Sequence, residues 1–189
     1  FTVSAWIKCN PSANTRTIMA KGNKLQLRLN PSNHVEVTLD DLASAKFTST
    51  TPINDSKWHQ ISFVYKSGTI FLYIDGVLDH SEQDVVAPSP NYNHLSIGAL
   101  CDNNSTTINP FLGEIDEIYI WNQALTEDQV KYLMNQEVEK FDVSGTDYIT
   151  GKTIPYGSTS NEMASIPWSD LEVYYDFNSF YGSTIEGLA

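Results

Sequence analysis

Two stretches near the start of the chain alternate apolar and polar residues without a break: Lys24-Leu25-Gln26-Leu27-Arg28-Leu29 and His34-Val35-Glu36-Val37-Thr38-Leu39, joined by Asn30-Pro31-Ser32-Asn33. A period of two places every second side chain on the same face of an extended backbone, so one face packs on a core and the other meets solvent. A helix would scatter the same leucines and valines around its circumference. The pattern commits this region to paired antiparallel strands with a turn between them.

The same pattern continues to about residue 121. Phe1 to Lys8 reads as a strand from its first residue. Trp58 to Tyr65, the turn Lys66-Ser67-Gly68 and Thr69 to Ile74 read as a hairpin, and Asp75-Gly76 is a dipeptide suited to positive φ that returns the chain into Val77-Leu78-Asp79. His94 to Leu100 and Gly113 to Trp121 follow. At least seven such runs at hairpin spacing, with no helical period between them, predict an all-β fold, a two-sheet antiparallel jelly-roll sandwich. One short helix is expected after the last main strand. Thr126-Glu127-Asp128-Gln129 has the form of a capping box, and Val130, Leu133 and Met134 give a short apolar stripe. The helix is expected to run about three turns and to cover an edge of the sandwich.

These signals divide the chain into a jelly-roll domain over 1–137, a polar connector over 138–170 and a strand-bearing tail over 171–189. In the connector Gly, Ser, Thr and Asn follow one another without a sustained period. The tail carries Leu171 to Asn178, strand-like again, and either begins a following module or completes the same sandwich. A chain that opens on a strand without an initiator Met is expected to be a piece of a longer one.

Charge narrows the partners. Lys and Arg number 11 against 23 Asp and Glu, a net charge of −12. Such a surface repels phosphate backbones and anionic lipids, so no nucleic acid is expected as a partner. No apolar run approaches the ~20 residues of a spanning helix, and no direct membrane insertion is expected. Cys9 and Cys101 each end a strand-like run and precede a polar loop, and they form either one disulfide or two buried thiols. No His or Cys cluster has zinc spacing.

Several of these residues, taken in order, resemble one family. Phe1-Thr2-Val3-Ser4-Ala5-Trp6, Trp58-His59, Leu72-Tyr73-Ile74-Asp75-Gly76, Ser96-Ile97-Gly98, and Phe111 to Glu117 followed by Ala124-Leu125-Thr126 look like the laminin-G-like jelly roll of the concanavalin A-like lectin/glucanase superfamily, over roughly 1–135. The stretches 132–137, 162–168 and 171–178 are similar to segments between such domains in very large bacterial surface proteins exported by type IX secretion in gliding bacteria. The resemblance implies an extracellular, cell-surface location. It also implies neighbouring modules of the same polypeptide as partners and an outer-membrane secretion machinery as the export route. The family's domain normally opens with a strand of the form Leu-x-x-Tyr-Tyr-x-Phe-(Asp/Asn), and in this chain the matching segment is 171–178.

The resemblance also directs attention to chemistry. Glucanases of the superfamily carry their acids on one strand as Glu-x-Asp-x-Glu or Glu-x-Asp-x-x-Glu. Here Glu114 and Asp116 match, but the next places hold Ile118 and Tyr119. Retaining hydrolysis needs two carboxyls about 5–5.5 Å apart, so no catalytic residue is assigned and no hydrolysis is expected. The family implies instead that Asp116 belongs to a structural calcium site. Calcium takes about six to eight oxygen ligands, and Asp116, Asp176 and Asn178 are the candidates. The amide- and hydroxyl-rich loop from Cys101 to Pro110 suits sugar hydroxyls, with Asn103 and Asn104 as contacts and Tyr92 as a stacking platform. The expected function is a non-catalytic binding or adhesion module that recognises glycans or surfaces. The alternatives are an accessory module of a polysaccharide-degrading enzyme and a ligand-free architectural spacer.

Overall fold

The computed structural model describes residues 1–40, 46–90, 92–101, 106–134, 136–143, 146–153, 168–177, 180–181 and 184–185. The strands, in chain order, are β1 (Thr2–Lys8), β2 (Arg16–Lys21), β3 (Leu25–Leu29), β4 (His34–Leu39), β5 (Lys46–Pro52), β6 (Trp58–Lys66), β7 (Thr69–Ile74), β8 (Val77–Glu82), β9 (Leu95–Ile97), β10 (Leu100–Cys101), β11 (Thr107–Ile108) and β12 (Glu114–Trp121). Helix α1 (Glu127–Met134), the hairpin strands β13 (Gln136–Val143) and β14 (Thr146–Thr153), and β15 (Leu171–Tyr175) follow. Two main sheets result, one of six strands ordered β15-β12-β1-β6-β7-β8 and one of five ordered β5-β4-β3-β2-β9. Their strands pair antiparallel throughout.

The alternation anticipated from the sequence supplies the core between them. Val3, Ala5, Ile7, Ile61, Phe63, Ile70 and Leu72 of the six-stranded sheet meet Leu27, Leu29, Val35, Val37, Leu39 and Phe47 of the other, all buried in one cluster. Fully burying a side chain of this size stabilises the fold by about 1.5–3 kcal/mol, so this contact dominates. At one side the sheets are tied by Asp79 of β8, whose carboxylate accepts the Thr50 and Thr51 backbone N–H groups of β5 at 2.6 and 3.0 Å.

A second apolar layer lies on the outer face of the six-stranded sheet. Val64, Tyr73, Tyr119, Trp121 and Tyr174 are buried there beneath Leu125, Val130 and Leu133. The capping box forms as read: Gln129 N–H donates to Thr126 Oγ1 at 3.3 Å, and Thr126 N–H to Gln129 Oε1 at 2.9 Å. The helix nevertheless spans eight residues, near two turns rather than three, and it covers the sheet's face rather than an edge. The aromatic rings of β12 and β15 on that face need the cover. No helix among the described residues is long and apolar enough to cross a membrane.

Two further departures concern the chain's other landmarks. Part of the expected connector pairs as β13 with β14, a two-stranded sheet joined to neither main sheet. Both cysteines are free. Cys9 is buried beside Arg16, where burial pushes its thiol up against the pull of the guanidinium, whereas Cys101 ends β10 exposed. One side chain turns into the core and the other to the surface, so the expected pairing of Cys9 with Cys101 is not made, and only one of the thiols is buried.

The Asp75-Gly76 turn has positive φ at both positions, 52° and 71°, as a type I′ hairpin requires. It is held by His59, whose Nδ1 meets Asp75 Oδ2 at 2.7 Å while Nε2 meets Asp55 Oδ1 at 2.8 Å. Burial of the ring works against the imidazolium, but the bonds to Asp55 and Asp75 outweigh it and raise the His59 pKa above its ordinary 6.5. The bond from His59, with that from the Lys57 N–H, lowers Asp55 from 3.8 to about 2. The raised imidazolium contributes fully below pH 6.5 and is lost as pH climbs through its folded value; the lowered carboxylate contributes fully above 3.8 and is lost as pH falls towards 2. Urea midpoints of the wild type and His59→Gln are therefore expected to differ most between about pH 4 and pH 6.5 and to converge on the alkaline side. A difference that is constant into the alkaline range would contradict this clasp.

Candidate functional site

Cross-strand partners share a face, so the register of the five-stranded sheet fixes what its outer surface carries. One row runs Thr48, Glu36, Arg28, Thr17 across β5, β4, β3 and β2; the next runs Lys46, Thr38, Gln26, Ala20, Ser96 across β5 to β9. Among the described residues no apolar cluster like that under α1 covers this face. Apart from Ala20 these rows are polar, and their central residues Thr17, Ala20, Gln26, Glu36 and Thr38 are no more than 4% exposed, so that Arg28 and Lys46 are what the network offers to a ligand.

Its centre is Glu36, whose side chain is only 3% exposed. Arg28 donates to Glu36 Oε1 from Nε at 2.7 Å and Nη2 at 2.6 Å, and Lys46 Nζ reaches Oε2 at 2.8 Å. Arg28 Nη1 donates onward to Gln26 Oε1 at 2.8 Å. One carboxylate thus faces two cations, and the face is locally cationic on a strongly anionic chain. The buried hydroxyls of Thr17 and Thr38 have no hydrogen-bond partner among the described residues. A buried hydroxyl without a partner costs about 1–3 kcal/mol.

Tyr92 stands fully exposed in the segment that leads into β9, the edge strand of this sheet. Its neighbour Asn93 is packed so closely over Gly22 that a Cβ there would collide with the Asn93 side chain, and Gly22 holds φ at 54°. Lys21 Nζ donates to the Asn93 carbonyl at 3.1 Å. These contacts hold Asn93, the neighbour of Tyr92, at the end of β2 where Lys21 and Gly22 turn towards β3. Asn103 and Asn104 lie outside the described residues; Cys101, which opens their loop, follows β9 by three residues. In the sequence Arg28 and Glu36 are no more than the polar half of an alternating pattern, and Lys46 lies outside both alternating runs. The signal that could have singled them out is the coincidence of opposite charges at paired positions.

The acidic strand behaves differently. Asp116 stands opposite Trp6 and Tyr119 opposite Ser4, so Glu117 and Ile118 together face Ala5. This is a β-bulge, with Glu117 at φ 48°. It turns Ile118 fully into the core and brings Tyr119 onto the face of Glu114 and Asp116. The place where a second catalytic carboxylate would sit on that face is a buried tyrosine, its phenol pushed up by burial and then by the charges of Glu117 and Asp116. Glu114 pairs with Lys8 at 2.8 Å. Burial, and then the charge of Asp176, raise the Asp116 carboxyl despite the bond it accepts from the Glu117 N–H at 2.9 Å. Asp116 and Asp176 are thus brought together, Asn178 lies outside the described residues, and no group of three or more His, Cys, Asp or Glu suited to a metal occurs among the described residues.

A cavity of about 380 Å³ opens between the sheets beside Phe1, Met19, Leu25, Leu95 and Trp121. Its mainly apolar lining offers few partners to sugar hydroxyls.

The profile of one family matches residues 1–131. The chain belongs to the concanavalin A-like lectin/glucanases superfamily. Within that superfamily it resembles the Sushi, von Willebrand factor type A, EGF and pentraxin domain-containing protein 1 of Rattus norvegicus, 30% identical over 136 residues. That match covers 66% of this chain and 4% of the rat protein, so the chain spans a small fraction of its relative. Among solved structures, a candidate carbohydrate-binding protein of Bacteroides ovatus superposes with a TM-score of 0.68 at 20% identity, covering 98% of this chain and 48% of that one. The CBM40 of the Ruminococcus gnavus IT-sialidase, bound to α2,3 sialyllactose, superposes with 0.58 at 14% identity, covering 70% and 81%. At these identities the likeness is one of fold.

The buried Glu36 carboxylate should hold the superfamily member's outer sheet face together. Glu36→Ala is expected to cost about 2 kcal/mol in urea unfolding, less than a fully buried pair, because Arg28 and Lys46 can turn to water. A loss below about 0.5 kcal/mol would show the network to be no more than a surface pair.

Proposed function

We propose that this domain is a non-catalytic glycan-binding module and that the outer face of its five-stranded sheet, flanked by Tyr92, is the recognition surface. The observation that carries the reading is the Arg28–Glu36–Lys46 network, in which a buried carboxylate holds two cations whose side chains stay 20% and 46% exposed. Planar guanidinium and amide groups match vicinal sugar hydroxyls and carboxylates, and an exposed tyrosine offers a stacking face. Two cations around one carboxylate favour an acidic sugar over a neutral one. The fold is shared with proteins whose descriptions name carbohydrate binding and sialyllactose, which supports the class of ligand without fixing the site.

The same reading keeps the module outside the cell, at a cell surface and beside other modules of its polypeptide. Type IX export is the setting suggested by the tail resemblance. Calcium belongs to the proposal as a structural ion: Asp116 and Asp176 would hold it with backbone carbonyls, and Asn178 would be a further ligand. The donor set is hard oxygen, as calcium prefers, and the mutual repulsion of the two carboxylates is what a cation would relieve. The ion would tie β15 to β12 and take no part in recognition.

Isothermal titration with α2,3 sialyllactose and with lactose tests the ligand class. The acidic sugar is expected to bind at least tenfold more tightly, with Arg28→Ala losing about tenfold and the affinity falling as salt rises. Equal binding of both sugars, or an Arg28→Ala chain that binds like the wild type, would overturn the site. Calcium is expected to raise the melting temperature of the wild type and not of Asp176→Asn; an unchanged wild-type melting temperature would remove the ion from the account.

A further inference from the structure

We propose that β15 is an exchangeable strand and that the slot it fills beside β12 is an interaction surface for the same segment of a second copy of this chain. The slot is demanding. Tyr119 and Trp121 are 1% and 0% exposed, and part of their cover is Tyr174, whose ring lies 5.8 Å from Tyr119 and whose hydroxyl donates to Glu117 Oε2 at 2.8 Å. Tyr175, on the other face, packs against the main core. Asn122 donates from its backbone N–H to the Asp170 carbonyl at 2.8 Å and from Nδ2 to Glu172 Oε1 at 3.0 Å. Without a strand here, the β12 edge would present open N–H and C=O groups next to uncovered aromatic rings, a template for another chain.

The occupant is an edge strand. β15 is the last strand of its sheet and pairs with β12 alone. Residues 135–167 separate it from α1; β13 and β14, the described strands among them, pair with no strand of the main sheets, although β13 packs on α1 and β14 on the turn Trp168–Asp170. The opposite end of the chain has no such freedom, because β1 lies between β12 and β6 and its alternate residues form the core. An edge strand held by one ladder opens at lower free energy than the whole fold. A second copy restores every contact with identical residues, so exchange depends on concentration alone. Exchange becomes favourable once the concentration of copies nears the effective concentration of β15 within its own chain. A dimer joined in this way presents two polar faces, which would raise the avidity of a weak glycan module.

The full chain, unfolded in urea and refolded over a wide concentration range, tests this by light scattering after size exclusion. A mass of two chains that grows with refolding concentration is expected; a mass of one chain at every concentration overturns the proposal. Location is read with two differently tagged full-length chains lacking the exposed thiol (Cys101→Ser), one carrying Ile120→Cys and the other Val173→Cys, a register pair across β12 and β15. Refolded together and oxidised, they are expected to yield a disulfide-linked heterodimer, and none when mixed without unfolding. A dimer whose chains do not link, while a chain carrying both substitutions closes the bond within itself, overturns the exchanged strand as its cause.

Discussion

The fold turns on β12. Paired with β1 on one side and β15 on the other, it contributes Ile118 to the core between the sheets and Tyr119 and Trp121 to the layer beneath α1. The bulge at Glu117 makes both possible, because it reverses which residues face inward half-way along the strand. Were the same residues paired regularly, without the bulge, Tyr119 and Trp121 would point into the core and Ile118 towards the helix. The strand therefore sets the helix position, the need for an edge strand, and the fate of the acidic residues. Its first half carries Glu114 and Asp116 outward, and its second half supplies aromatic rings where a second acid would have to stand.

Covering one sheet commits the other to a different use. The helix, the Tyr174 ring and the tail strand close the outer face of the six-stranded sheet. The five-stranded sheet, with its apolar half turned into the core, presents two rows of polar side chains locked in register by four backbone ladders. A rigid sheet holds donors at fixed spacing, which under the proposed reading would limit the ordering cost of binding a flexible saccharide. The local excess of positive charge on a chain of net charge −12 makes that face the place where an anionic ligand meets least repulsion.

Much of this was legible in the residue order, and the exceptions have physical causes. The alternating runs of β3 and β4, the Asp75-Gly76 turn and the Thr126 capping box each follow a local rule, and each is found where it was read. Arg16 to Lys21 hides β2 because a bulge between Thr17 and Met19 breaks its period and almost all its residues are buried. Lys46 to Pro52 hides β5 because threonines and serine occupy most of the strand. The β13–β14 hairpin reads as connector in the sequence because its residues show no sustained apolar period. The bulge at Glu117 carries no signature, since Glu and Ile are ordinary strand residues. The polar rows could not be seen either, because register between strands, not order along them, creates the Arg28–Glu36–Lys46 network. Tyr92 stands out in the sequence for its chemistry alone, and the structure shows it fully exposed.

The most direct measurement is a backbone amide NMR titration of the isotopically labelled chain with α2,3 sialyllactose. The account predicts that the largest shifts fall on Arg28, Glu36, Thr38 and Lys46 and on the segment around Tyr92, with the residues lining the inter-sheet cavity unmoved. Shifts concentrated at Phe1, Leu95 and Trp121, or along the Glu114 to Asp116 strand, would contradict it.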